Sequence, residues 1–247
     1  MKQLFKKIKT SVIIAIASSI LLSSTPAADN QQPYIVNDCS DRYYSVHYVN
    51  IDDLNLDDRY FDYSTDNFQL RSSNALNVHH FYQDGQTYSN DYLGTWSNNT
   101  TYTIGNAGCL VTCIAMYHRF LEGSQINPAG INLSLKAAGL DTSFLSLDGV
   151  ATAYGWTSKC RVVTTITSVS TAKTKIQSEI NSGRPVIIGL AKFNSNNEIT
   201  NTHFVLSYDY SGTNIYIHDP SKATDYTLLS QYTNNGWKIY NLRSYSK

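Results

Sequence analysis

No stretch of this chain holds enough apolar residues in a row to cross a bilayer. The best run, Ser11 to Leu22, is Val, Ile, Ala and Leu relieved only by serines, and it falls short of the ~20 residues a span needs. Basic excess is absent too. Lys+Arg and Asp+Glu stand at 19 each, and no lysine occurs between Lys9 and Lys136. That excludes the basic footprint of a nucleic-acid or anionic-lipid partner. Cysteine is scarce: Cys39, Cys109, Cys113 and Cys160 match neither zinc-ligand spacings nor a disulfide-dense miniprotein. The acidic run Asp52-Asp53…Asp57-Asp58 lacks the Gly and terminal Glu of a calcium loop and reads as solvated surface. No internal repeat is present. No metal or cofactor is expected.

What is present begins with a targeting pattern. Lys2, Lys6, Lys7 and Lys9 precede the apolar run, and Ser-Ser-Thr25-Pro-Ala27-Ala28 follows it. Basic region, apolar core and small-residue site, in that order, make a secretory signal over residues 1–27. No cysteine sits at that site, which argues against a lipid anchor. Secretion or association with the cell envelope is the expectation, with a mature chain near −4 once four lysines leave a neutral precursor. Outside the cell a disulfide is permitted, and Cys39–Cys160 is the one bridge to entertain.

Residues 28–83, rich in Asp and Tyr, read as an N-terminal extension: a propeptide or a packed subdomain. Tyr43 to Val49 has strand-like composition. From residue 84 to 247 the pattern sharpens into one domain. Gly94 to Gly108 is a polar, turn-rich loop. Leu110, Ile114, Tyr117 and Leu121 then repeat at helical spacing, which predicts a helix from Cys109 to Leu121 stopped by Gly123. Further helices are expected at Leu133–Ala138, Leu145–Tyr154 and Thr171–Ser182. Strands are expected at Pro185–Leu190, His203–Tyr208 and Asn214–His218, the last two a hairpin across Asp209-Tyr-Ser-Gly212. Gly236–Asn241 would be the closing strand. Helices first and antiparallel strands after give an α+β fold.

Chemistry concentrates at three residues. Cys109 stands where Gly105-Asn-Ala-Gly108 hands over to a helix, and a helix N-terminus favours a thiolate. Gly108 leaves the backbone open to a substrate. Cys113, one turn on, reads as packing. His203 opens an apolar strand, and Asp219 ends the next strand of the hairpin. In an antiparallel pair such positions are neighbours, so the carboxylate can orient the imidazole as a base for the thiol. His218 points to the face opposite Asp219. His79-His80 reads as surface loop, and His47 and His218 as strand residues.

The segment Thr103-Ile-Gly-Asn-Ala-Gly-Cys109-Leu-Val-Thr-Cys-Ile-Ala-Met116 resembles the nucleophile segment of bacterial papain-like cysteine peptidases. It is similar to the branch that removes double-glycine leaders from bacteriocins. Gly183-Arg-Pro-Val-Ile-Ile-Gly189, Thr202-His-Phe-Val-Leu206 and Ile215-Tyr-Ile-His-Asp219-Pro220 follow in the same order. The resemblance covers roughly residues 84–247. It implies a papain-like fold, in which a helical part carrying the nucleophile packs on an antiparallel sheet, and a Cys–His–Asp triad at Cys109, His203 and Asp219. Two departures stand out. The family continues Gly-Pro after the cysteine, where this chain has Leu110-Val111. The family also places a glutamine upstream as an oxyanion donor. Asn90 lies nearest that place, with Gln86 and Gln83 further out, and its amide is the same donor on a shorter arm.

The expectation is therefore an exported cysteine peptidase acting on a peptide or protein substrate without metal. Two rivals share the residues: an amidase, isopeptidase or transpeptidase of cell-wall peptides with the same triad, and a non-catalytic surface-binding domain that kept the fold.

Overall fold

A computed structural model of the chain describes residues 46–64, 73–95, 101–163 and 168–247, with backbone alone at 161–163. The expected signal, Cys39 and its proposed bridge to Cys160, and Tyr43 to Ser45 lie outside these residues. So do Trp96 to Thr100. The described residues all belong to one compact unit, 31–247. No helix among them is long and apolar enough to cross a membrane.

The element order is α1 (Ile104–Ala107), α2 (Cys109–Glu122), α3 (Pro128–Ala137), α4 (Leu147–Tyr154), β1 (Thr157–Val163), α5 (Val169–Asn181), β2 (Val186–Phe193), β3 (Ile199–Ser211), β4 (Asn214–His218), α6 (Leu229–Asn234) and β5 (Lys238–Ser246). The sheet order is β1-β5-β2-β3-β4, with every pair antiparallel. The fold is α+β.

Strand period-2 alternation divides the interior into two cores. Ile187, Phe204, Leu206 and Tyr208 join α2, α3 and α4 on one side. Val186, Ile188, Leu190 and Val205 join α5 and α6 on the other. The sheet is thus filled between two helical layers. Gly189 is required in β2 because a Cβ there would come within 2.7 Å of Asn241 Cβ on the neighbouring strand. α2 is buried along its first ten residues, Cys109 to His118, as befits a helix apolar on all sides. Gly123 ends it in the left-handed conformation at φ 67°.

Several expected elements shift. The helix expected from Leu133 starts at Pro128, because Asn127 caps it by accepting from the N–H groups of Ala129 and Gly130. α1 occupies part of the expected loop. A capping box closes it, Thr103 N–H to Asn106 Oδ1 (2.7 Å) and Asn106 N–H to Thr103 Oγ1 (3.4 Å). β5 lies inside the sheet, between β1 and β2, rather than closing an edge. β1 and α6 carry no strong apolar pattern and were not anticipated. Residues 46–49 form no strand.

The described part of the extension has no core of its own. Val49 N–H bonds Ala153 O, Asn127 N–H bonds Tyr60 O and Arg119 donates to Asp62 O. These residues pack against α2, α3 and α4. Asp52, Asp53, Asp57 and Asp58 are exposed. Residues 76–83 run along the hairpin: Leu76 N–H bonds Tyr208 O and Gln83 N–H bonds Pro220 O.

Candidate active site

Cys109 is the first residue of α2. Its N-cap, Gly108, has no side chain to satisfy the first-turn N–H groups, so the positive helix end is left facing the sulfur. Gly108 is required here by crowding with α1. A Cβ would lie 2.5 Å from the Ile104 carbonyl oxygen, which is a packing reason distinct from the substrate access expected of it.

The hairpin supplies the other two groups. Leu206 pairs with His218, so the continued ladder sets Asp219 beside Val205, diagonal to His203 and on its side of the sheet. Diagonal neighbours are within reach of long side chains. His203 Nε2–H donates to Asp219 Oδ1 at 2.8 Å, and the ring also hydrogen-bonds with Cys109, for which Nδ1 remains. The structure thus brings Cys109, His203 and Asp219 together. All three are buried, Cys109 at 1% exposed.

Burial alone would lower the His203 pKa. The hydrogen bonds to Asp219 and Cys109, and the charges of both, overcome it and raise the pKa to about 10. Burial alone would raise the Asp219 pKa, but the His203 hydrogen bond and charge, with the Thr224 and Tyr232 hydroxyls, lower it to about 2. Both shifts favour the ionic form of the pair, and a cationic ring beside Cys109 favours the thiolate. Cys113 is the opposite case. Burial, with Cys109 and Asp219 nearby, pushes its pKa well above that of an ordinary thiol, so it stays protonated.

Asp219 is held from several directions. Oδ1 also accepts from Ser221 N–H (3.0 Å), while Oδ2 accepts from Thr224 Oγ1 (2.6 Å), Tyr232 OH (2.6 Å) and Tyr226 N–H (3.2 Å). His203 lies 5.5 Å from the Tyr232 ring and 6.4 Å from the Trp237 ring.

The chain from Val78 to Gln83 forms the flank. His218 turns to the other face, stacked on Tyr208 at 4.1 Å and on His80 at 4.5 Å. His80 Nε2 bonds the Asp219 carbonyl at 2.7 Å. His79 is buried and bonds Asp62 Oδ2 at 3.2 Å. His79-His80 lies in irregular chain as expected, but His79 is buried rather than at the surface and His80 is half-buried against His218. His47 lies in no strand.

Asn90, expected at the oxyanion, is exposed in a turn whose neighbours Ser89 and Asp91 accept from the N–H groups of Gly105 and Ile104. The buried side-chain amide at this site is that of Gln83. Its Nε2 donates to Gly105 O at 3.0 Å, just upstream of Cys109, and its N–H holds Pro220, just after Asp219. Gln83 thus ties α1, which leads into Cys109, to the chain just after Asp219. By sequence Gln83 ranks behind Asn90 because it lies further from the expected spacing and in an irregular segment; the resemblance to a glutamine-bearing family is the signal that names it. The same segment, through His80 and Tyr82, lines a cleft of about 490 Å³ with Arg59, Phe61 and Asn127.

The profile of the Peptidase_C39 like family matches residues 75–246. The chain belongs to that family. It is a family of papain-like cysteine peptidases, and the helix-on-sheet arrangement above is the papain-like fold. The match begins at residue 75, nine residues before the domain start expected at 84. No curated protein matches the chain.

Proposed function

We propose that the protein is an exported peptidase in which Cys109, His203 and Asp219 hydrolyse a peptide bond. The observation that carries this is the shared imidazole: His203 is bonded to a buried carboxylate on one side and to the sulfur at the head of α2 on the other. The thiolate attacks the substrate carbonyl carbon, forming the S–C bond and placing charge on the oxygen. That oxygen rests on the Cys109 N–H and on a side-chain amide. We assign the amide to Gln83 in place of Asn90. His203 gives its proton to the departing amine as the C–N bond breaks. Water then attacks the thioester, His203 takes its proton, and the acid leaves as the S–C bond opens.

The test is labelling and turnover together. Cys109→Ala should abolish both reaction with an electrophilic thiol probe and cleavage of casein or peptidoglycan peptides, while Cys113→Ala keeps both. Loss on Cys113→Ala alone would overturn the assignment. The buried sulfur and Leu110 in place of Gly favour a second reading, a binding domain that kept the fold, and a wild-type protein inert to the probe would establish it. Cleavage confined to peptidoglycan fragments would shift the substrate to the cell wall with the same acyl chemistry. Export is supported by the order of charge, apolar run and small residues; mass spectrometry of the secreted protein should find a new N-terminus near Ala28.

A further inference from the structure

Within that reading, the base depends on more than its carboxylate. We infer that Tyr232, with Thr224, is a positioning residue, its hydroxyl holding the Asp219 carboxylate charged and aimed at His203 so that the Cys109 thiolate persists into acid.

The Asp219 side chain has no exposed surface. A buried carboxylate without donors takes up a proton instead of staying charged. Here Oδ1 is committed to His203 and Ser221 N–H. Oδ2 takes both side-chain hydroxyls at 2.6 Å. These are short charge-assisted bonds, and they fix the rotation of the carboxylate so that Oδ1 faces the ring. Tyr232 and Thr224 lie 3.2 Å apart, oxygen to oxygen. They arise from α6 and from the turn after β4, elements that would otherwise only cover the sheet. Burial and the Asp219 charge push the Tyr232 phenol well above its ordinary range, so it is a donor at every working pH. The other titratable groups around Asp219 are His203 on β3, with Cys109 beside its ring, Cys113 on α2, Tyr82 on the flanking segment, and His80, which bonds the Asp219 backbone carbonyl.

A purely structural Tyr232 would need only its ring, which packs on Trp237 at 5.6 Å and Tyr226 at 4.9 Å. Tyr232→Phe keeps the ring and removes the donor; Thr224→Val keeps the shape and removes the other. Two measurements decide. The first is the pH dependence of alkylation at Cys109, with Cys109→Ala as blank. The second is the Asp219 carboxyl titration by carbon-13 NMR. Each variant should move the acid limb of alkylation and the Asp219 midpoint upward by about one pH unit, with Thr224→Ser restoring the profile lost in Thr224→Val. Unmoved midpoints in correctly folded variants would overturn the inference. A wild-type Cys109 that titrates like a free thiol would sink the ion-pair reading instead. The carboxyl titration still judges the hydroxyls in that case: a rise in Tyr232→Phe supports their role on Asp219, and no rise overturns it.

Discussion

Asp219 and His203 draw stability from opposite ends of the pH scale. The Asp219 pKa falls from 3.8 to about 2 on folding, so its contribution is complete above pH ~4 and lost as pH drops through about 2. The His203 pKa rises from 6.5 to about 10, so its contribution is complete below pH ~6.5 and lost as pH climbs towards 10. Both are in place between about pH 4 and 6.5. Asp219→Asn should lower stability in that window by roughly 2 kcal/mol or more and flatten its fall on the acid side, as read by urea unfolding at several pH values. For the oxyanion, Gln83→Ala should reduce kcat on the order of 10²–10³-fold, and Asn90→Ala, on an exposed turn, should leave it unchanged. A loss confined to Asn90→Ala would put the donor back at Asn90.

At the scale of the element, the handover from α1 to α2 aims the sulfur. Its tolerance is set by one contact: Gly108 lies so close to the Ile104 carbonyl that a methyl group has no room. Gly108→Ala should cost about 1–3 kcal/mol and slow alkylation of Cys109, because relief of the clash rotates the first turn of α2. The hairpin is the second aiming device. Its alternation places Asp219 with His203 and turns His218 away towards Tyr208 and His80. That division was legible beforehand, since period 2 is a property of the strand itself. So was the head of α2, from apolar residues at helical spacing. β1 was not, because Thr-Ser-Lys-Cys-Arg-Val-Val has no clear alternation and becomes a strand by pairing with β5.

Across the whole molecule, the sheet is held to α2 by a tyrosine. Tyr117 OH donates to Tyr245 O at 2.9 Å and accepts from Tyr245 N–H at 2.8 Å. It thus satisfies both backbone groups of a residue in β5. Tyr117→Phe removes both of these buried bonds, at a cost of about 1–3 kcal/mol measurable as a lower denaturant midpoint. Amide exchange should speed up first at β1, which is paired to β5 alone. A second long-range tie is Arg243, buried in β5, whose guanidinium donates to Leu145 O at 2.7 Å and to Asn241 at 2.9 Å. It joins the inside of the sheet to the entrance of α4.

Local steric periodicity settled, from the amino-acid order alone, that Cys109 heads a helix and that His203 and Asp219 share one side of a hairpin. These need only the dihedral preferences of neighbouring residues. Tertiary structure alone decided that β5 runs inside the sheet, that His79 is buried and His80 half-buried, and that Gln83 is a buried amide beside α1. Each of those depends on contacts between residues far apart in the chain, whose partners no local pattern names. Irregular segments such as 76–83 acquire their conformation from the surface they lie on.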